Sequence, residues 1–260
     1  MEDNAAAGPE CRVLHAIVGH KLPEYFTNAI SSVLAMTRDD VIIVDNASGL
    51  PELIRTFRSL AAADPRVRLL LRDTNNVSCN RKVGGLYDAY NEVMSYALEQ
   101  GYDYLHMMQN DMQLLWWDDS VMRTAKEIYA EYPECANIRT SGMQRYNALD
   151  SNIEYVKPKL ARLLDYGLTD TGLYDLKKWR KLDMRFLQSE RDHSTKYLDE
   201  GLSVFFHPLP AVAFIPWPAV VRNGTVVGRE VRPVEPFLLR PLAPDHNLLA
   251  RRRHIHRPRR

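Results

Sequence analysis

Apolar and polar positions in the first half of the chain follow two alternating periods. Short, β-branched apolar runs fall at Val13–Val18, Val41–Val44, Val67–Leu71 and Tyr104–Met108, each of a length that suits a buried strand. Between them apolar residues recur every three or four positions, the spacing of one helix face. Pro23 starts the first such segment, with Phe26, Ile30, Val33 and Leu34 on one side, because proline is pre-set for the first helical turn. The second begins near Pro51 and carries Leu53, Ile54, Phe57 and Leu60. The third carries Leu86, Tyr90, Val93, Met94, Ala97 and Leu98 and stops at Gly101, a residue that caps helix ends well. A fourth follows Asp119, with Val121, Ala125, Ile128 and Tyr132 inward. From about Asn137 the period weakens and prolines multiply. That half reads as the continuation of the same domain, with no linker or internal repeat.

Strand–helix alternation at this length calls for a largely parallel sheet with helices packed on it. Such sheets bind ligands beyond the carboxyl ends of their strands. Four loops therefore matter most: 19–21, 45–49, 75–85 and 109–113.

Composition narrows the class. At 260 residues, 45% hydrophobic and 26% charged, the chain is ordinary globular protein. Its three cysteines, Cys11, Cys79 and Cys135, are scattered and odd in number, which suits a reducing cytoplasm better than a disulfide framework or a zinc site. The first ten residues are acidic without an apolar run, unlike a signal peptide. The apolar stretch 204–221 is broken by four prolines and reads as strand and loop rather than a membrane span. The net charge of +1 is uneven: without the six arginines of RRRHIHRPRR, 28 bases face 33 acids. That tail reads as disordered, or as a peripheral contact with acidic lipid headgroups at the inner membrane face. No basic-aromatic motif points to nucleic acid.

The strand ends carry the candidate chemistry. VIIVDNAS releases Asp45 from an apolar strand into a loop. There it either accepts the imide N–H of a uracil or thymine ring or, with Ser48, caps the next helix. HMMQNDMQ places Gln109, Asn110 and Asp111 at a second strand end. These are either oxygen ligands for a magnesium or manganese ion beside a diphosphate or a polar turn leading to Trp116 and Trp117.

The order VDNAS, then a glycine-bearing helix start, then an aspartate after the fourth strand resembles glycosyltransferase family 2, of the GT-A fold. The segment VGGLYDAYNEVMSYALEQGYDYLHMMQNDM is similar to that family's glycine-containing helix and DxD-type strand end. Gly85 and Asn91 fall on the matching glycine and asparagine, Asp45 on the base-contacting aspartate, and Asp111 on the last aspartate of the triplet. The resemblance covers about 13–215. It implies an α/β, Rossmann-like, mostly parallel sheet flanked by helices in one domain, 12–220, with a C-terminal extension at 221–260. It further implies a donor site formed by Gly19, His20, Asp45, Asn46, Gly85, Asn110 and Asp111. A divalent cation, Mg2+ or Mn2+, would be held by Asp111 and Gln109. The donor would be a UDP- or dTDP-linked sugar, and the acceptor a glycan, a lipid-linked or a small molecule.

The segment LQSERDHSTKYLDEG resembles the family's acidic helix. Glu190 falls on its general base, which takes the acceptor hydroxyl's proton during inversion, with Asp192 two residues later. DTGLYDLKKW resembles the loop and helix that shape the acceptor pocket, Gly172 allowing close approach and Trp179 offering a ring to a sugar. The chain departs from the family in four places. Gln109 replaces an aspartate, Glu190 replaces the commoner aspartate, and Gly19–His20 stand in a loop that often carries threonine, tyrosine and asparagine. A late metal-ligating histidine is absent from AFIPWP, with His207 nearby but early in register. A catalytically degenerate GT-A-like protein that binds a nucleotide sugar or scaffolds a partner is the first rival. A nucleotidyltransferase is the second, and IVGHKLPEY makes a poor phosphate loop for it.

Overall fold

The structure, a computed structural model, describes residues 11–75, 85–141, 153–158, 160–163, 171–187, 190–214, 219–222 and 225–229. The four apolar runs form β1 (Val13–Gly19), β2 (Asp40–Asp45), β3 (Val67–Leu71) and β4 (Tyr104–Gln109). The intervening periodic segments form α1 (Pro23–Met36), α2 (Pro51–Ala63) and α3 (Leu86–Glu99), each within a residue or two of where its proline or glycine signal puts it. β1, β2 and β4 are buried on both faces, as a parallel sheet with helices on each side requires, while β3 lies at the edge and is only partly covered. Leu14, Ala16, Val18, Ile42 and Val44 meet α3, whereas Ile17, Val41 and Ile43 meet α1 and α2.

The second half adds β5 (Met112–Leu114), α4 (Asp119–Glu131), β6 (Cys135–Arg139), β7 (Ile153–Lys157) and β8 (Leu160–Leu163). It continues with β9 (Gly172–Asp175), α5 (Leu176–Lys181), α6 (Glu190–Asp199), β10 (Ser203–Phe206) and β11 (Val212–Phe214), then β12 (Ala219–Arg222) and β13 (Thr225–Arg229). The main sheet has nine strands in the order β3-β2-β1-β4-β9-β6-β10-β8-β7. The pairings make β9 and β8 run against the other seven. The sheet is thus mostly parallel, as the sequence predicts. β5 pairs with β11 and β12 with β13 in two small ribbons.

Two glycines are needed for close approach. A Cβ on Gly172, at φ +127°, would stand 2.5 Å from the Ile138 carbonyl oxygen, so only glycine lets β9 enter between β4 and β6. A Cβ on Gly19 would meet Asn110 Cβ at 2.5 Å and the Phe26 ring at 2.7 Å. Among the described residues, no helix is long and apolar enough to cross a membrane. Cys79, the arginine-rich tail and the extension beyond 229 lie outside the described residues.

Candidate functional site

Chain order β1, β2, β3, β4 becomes spatial order β3-β2-β1-β4, so the path reverses between β1 and β4. Ligand crevices form at such a switch point, beyond the carboxyl ends of the strands. The register brings the predicted residues there together: Gly19 lies opposite Asp45, Val18 opposite Gln109, and Asp45 opposite Leu71. Backbone bonding continues one step beyond the strands, with Asn46 N–H on Gly19 O (2.8 Å), Asn110 N–H on Val18 O (3.0 Å) and Arg72 N–H on Asp45 O (3.0 Å).

The loops are tied to one another. His20 Nδ1 lies 2.9 Å from Asn46 O. A carbonyl can only accept, so Nδ1 carries the proton and Nε2 is left as an acceptor. Lys21 N–H donates to Ser48 Oγ (2.6 Å), and Asn110 Nδ2 donates to Lys21 O (3.2 Å). Lys21, Leu22 and Ala47 all have left-handed backbones, at φ 58°, 54° and 56°. Such non-glycine conformations are costly and gather where surrounding contacts over-determine a functional loop.

Asp45 is 2% exposed. Its Oδ2 accepts Ser48 N–H at 3.1 Å, a turn within the loop rather than the helix cap the sequence also offered, since α2 starts at Pro51 behind Leu50 and has no side-chain cap bond. Its Oδ1 is buried with no hydrogen-bond partner among the described residues. An unmet buried acceptor of this kind costs about 1–3 kcal/mol and calls for an explanation.

Sequence reasoning missed Arg72 and marked Asn75 only as the first residue of the 75–85 loop. Arg72 Nη1 donates to Asn46 Oδ1 (2.5 Å) and Gly85 O (2.9 Å), and its Nε pairs with Glu92 at 3.0 Å. Asn75 Oδ1 accepts Gly85 N–H at 2.7 Å. Together they join the β2 loop to the start of α3, which is how Gly85 comes to the same edge. The available signal was position: both follow directly on the third apolar run.

The metal proposal has a narrow donor set. The Gln109 amide donates to Tyr90 O–H at 3.1 Å, and Asp111 is the one carboxylate of the triplet. Among the described residues, no three His, Cys, Asp or Glu side chains are grouped to hold an ion. This suits a cation that arrives with a diphosphate and takes one carboxylate from the protein. It does not suit a resident metal. His207 is buried, with Nδ1 against Leu209 O at 2.7 Å.

The remaining predicted residues sit as follows. Gly172 pairs with Met107, near the carboxyl edge beside β4. Glu190 opens α6, and its side chain lies outside the described residues. Asp192 is exposed on the same helix. Trp179 is 4% exposed and packs on Tyr174, Phe186 and His193 at centroid distances of 5.3, 5.2 and 6.1 Å. Its ring is core, not an open platform. Asn91 is likewise structural, bonding Phe186 through both N–H and C=O at 2.8 and 2.9 Å.

His193 fixes α6. Its imidazole is fully buried among Phe186, Tyr197, Trp179 and Tyr87, and burial pushes its pKa down to about 3. Because Tyr87 is the second residue of α3, this packing sets the start of α6 beside the start of α3.

No family model matches the chain, and no curated protein matches it. Among solved structures it is similar to Staphylococcus aureus TarS. The likeness to residues 1–349 is at 16% identity with a TM-score of 0.48, over 74% of this chain and 59% of that one. The likeness to a longer TarS chain is at 14% identity with a TM-score of 0.50, over 75% of this chain and 36% of that one. The chain thus spans less than two thirds of the TarS structures it matches. At such identity what is shared is the fold.

Proposed function

We propose that this chain transfers a sugar from a nucleoside diphosphate to an acceptor hydroxyl, with the donor lying across the carboxyl edge of β2, β1 and β4. The observation that carries the reading is the buried, unmatched Oδ1 of Asp45 at the switch point, an acceptor suited to a base N–H. The fold is shared with TarS, a glycosyltransferase, which agrees with the reading without specifying donor or acceptor.

In this reading Asp45 orients the base. Gly19 lets the β1 and β4 loops close on the nucleotide, and Arg72 with Asn75 holds the Gly85 turn against it. Asp111 would hold a divalent cation on the diphosphate, where such an ion offsets the charge that develops on a leaving group. Glu190, at the start of α6, takes the proton from the acceptor hydroxyl as the oxygen attacks the anomeric carbon from the face opposite the diphosphate, inverting it. His193 is a positioning residue that seats the helix carrying Glu190.

Titrating uridine, thymidine, guanosine and adenosine diphosphates by calorimetry tests the donor half. We expect uridine or thymidine diphosphate to bind, more tightly with manganese, and manganese alone to bind weakly. The Glu190→Gln variant tests the chemistry, with an expected loss of about 10²–10⁴-fold in transfer or donor hydrolysis and little change in nucleotide affinity. Turnover near wild type would remove Glu190 as the base. The single carboxylate of the metal triplet and the engaged Gln109 favour one second reading, a nucleotide-sugar-binding protein without transfer. Nucleotide binding with no turnover over a broad acceptor panel would establish it.

A further inference from the structure

The opposite end of the sheet holds a cavity of about 810 Å³, within the range of small-ligand sites. It lies where β1 and β2 begin, between the end of α1 and the first turns of α4. Its walls include Met36, Met122 and Trp117, and Asp39 faces it from the residue before β2.

Asp39 is held by an unusual support. Its Oδ2 accepts from Thr37 Oγ1 at 2.8 Å and from His15 Nε2 at 3.2 Å. His15 Nδ1 meets His106 Nδ1 at 3.0 Å, and His106 Nε2 meets Thr140 Oγ1 at 2.8 Å. His15 and His106 are each 0% exposed. An ionised carboxylate only accepts, so His15 Nε2 carries hydrogen and Nδ1 accepts from His106. The second nitrogen of His106 then accepts from the Thr140 hydroxyl. One proton per ring satisfies every member of the chain. Trp117 locks it, stacked on His106 at 4.7 Å and edge-on to His15 at 4.6 Å. Burial, and then the neighbouring His15, hold the His106 pKa well below its ordinary value. Burial tends to raise that of Asp39, but its hydrogen bonds to His15 and Thr37 outweigh this and lower it. A supported, charged acceptor at the wall of a cavity, far from the proposed donor edge, is a feature of binding sites.

The cavity's chemistry indicates its ligand. Three cationic and four anionic side chains line it, a near balance that favours neither an anion nor a cation. On α4, Asp119, Arg123, Lys126 and Glu127 set donors and acceptors side by side over an indole and two methionines. Ligand hydroxyls, which both donate and accept, suit such a mixture, and C–H faces suit the apolar wall. We infer that this cavity is a second ligand site, distinct from the proposed donor edge, that takes an uncharged sugar ring with its hydroxyls on Asp39 and α4 and its face on the apolar wall. The inference does not depend on the transferase reading.

Saturation-transfer NMR on the full chain tests it, with methyl β-D-glucopyranoside and methyl N-acetyl-β-D-glucosaminide as probes and glycine and methyl phosphate as charged comparisons. Transfer to at least one glycoside is expected, persisting under excess uridine diphosphate. It should weaken at least tenfold in Asp39→Asn and also weaken in Met122→Trp, which sets a larger ring into the cavity, and thermal melts of both variants establish that they are folded. Arg123→Ala, on the exposed face of α4, should weaken it as well and provides the comparison if either core variant unfolds. No transfer to either glycoside would overturn the inference. So would a signal displaced by uridine diphosphate, one unchanged in the folded variants, or binding of glycine or methyl phosphate alone.

Discussion

Gly19 shows how one missing side chain lets two loops meet. With a Cβ there, Asn110 and Phe26 would both have to move, so the β1 and β4 loops could no longer close as they do. Gly19→Ala should lower stability by about 1–3 kcal/mol, as overpacking does, read as a lower urea midpoint at unchanged slope, and should weaken nucleoside diphosphate binding in parallel. His193 makes a separate prediction through pH. Its pKa falls from an ordinary 6.5 to about 3 in the folded chain, so the unfolded chain takes up the proton first. Its contribution is therefore intact above pH 6.5, declines as pH drops through the interval between the two values, and is fully lost below about 3. Across that interval His193→Phe should show a stability slope shallower than wild type by about 1.4 kcal/mol per pH unit, measured by denaturant titration at several pH values. Asp45 was legible in sequence because a carboxylate ends an apolar run. The His15–His106 pair was not, since a histidine inside such a run reads as an ordinary core position until strand register sets the two side by side.

Helix and strand boundaries were most legible where backbone chemistry marks them. Pro23 and Pro51 open α1 and α2, and Gly101, at φ +71°, follows α3. α4 uses a side chain instead: Asp118 accepts Ser120 N–H at 2.8 Å and its hydroxyl at 2.5 Å. Asp118→Ala should cost about 1 kcal/mol, seen as a lower melting temperature with helix content nearly kept. The second half was less legible for a physical reason. β7 is half exposed, β8 and β9 have four residues each, and their places depend on pairing with strands distant in sequence, which local periodicity does not encode. The sequence of α6, ERDHSTKYLD, is rich in charge. What its charge pattern hides is that, among the described residues, His193, Ser194 and Tyr197 are its buried positions, and these attach it to the body of the protein.

The whole molecule presents two ends of one sheet with different chemistry. At the carboxyl end, the topology reversal between β1 and β4 gathers Gly19, Asp45, Asn46 and Asn110, with Gly85 joined through Arg72. At the amino end, Asp39 is supported by a buried polar chain and faces a separate cavity. The location of the first group was legible from strand–helix alternation and the rule for parallel sheets. Trp179 illustrates what that rule leaves out, because whether a tryptophan is wall or core depends on packing across α3, α5 and α6. A crystal structure with uridine diphosphate and manganese tests the central claim most directly. The account predicts the uracil imide within hydrogen-bonding distance of Asp45 Oδ1 and the diphosphate beside Asp111. A nucleotide lodged at the Asp39 end, or at the carboxyl edge with its base turned away from Asp45, would contradict it.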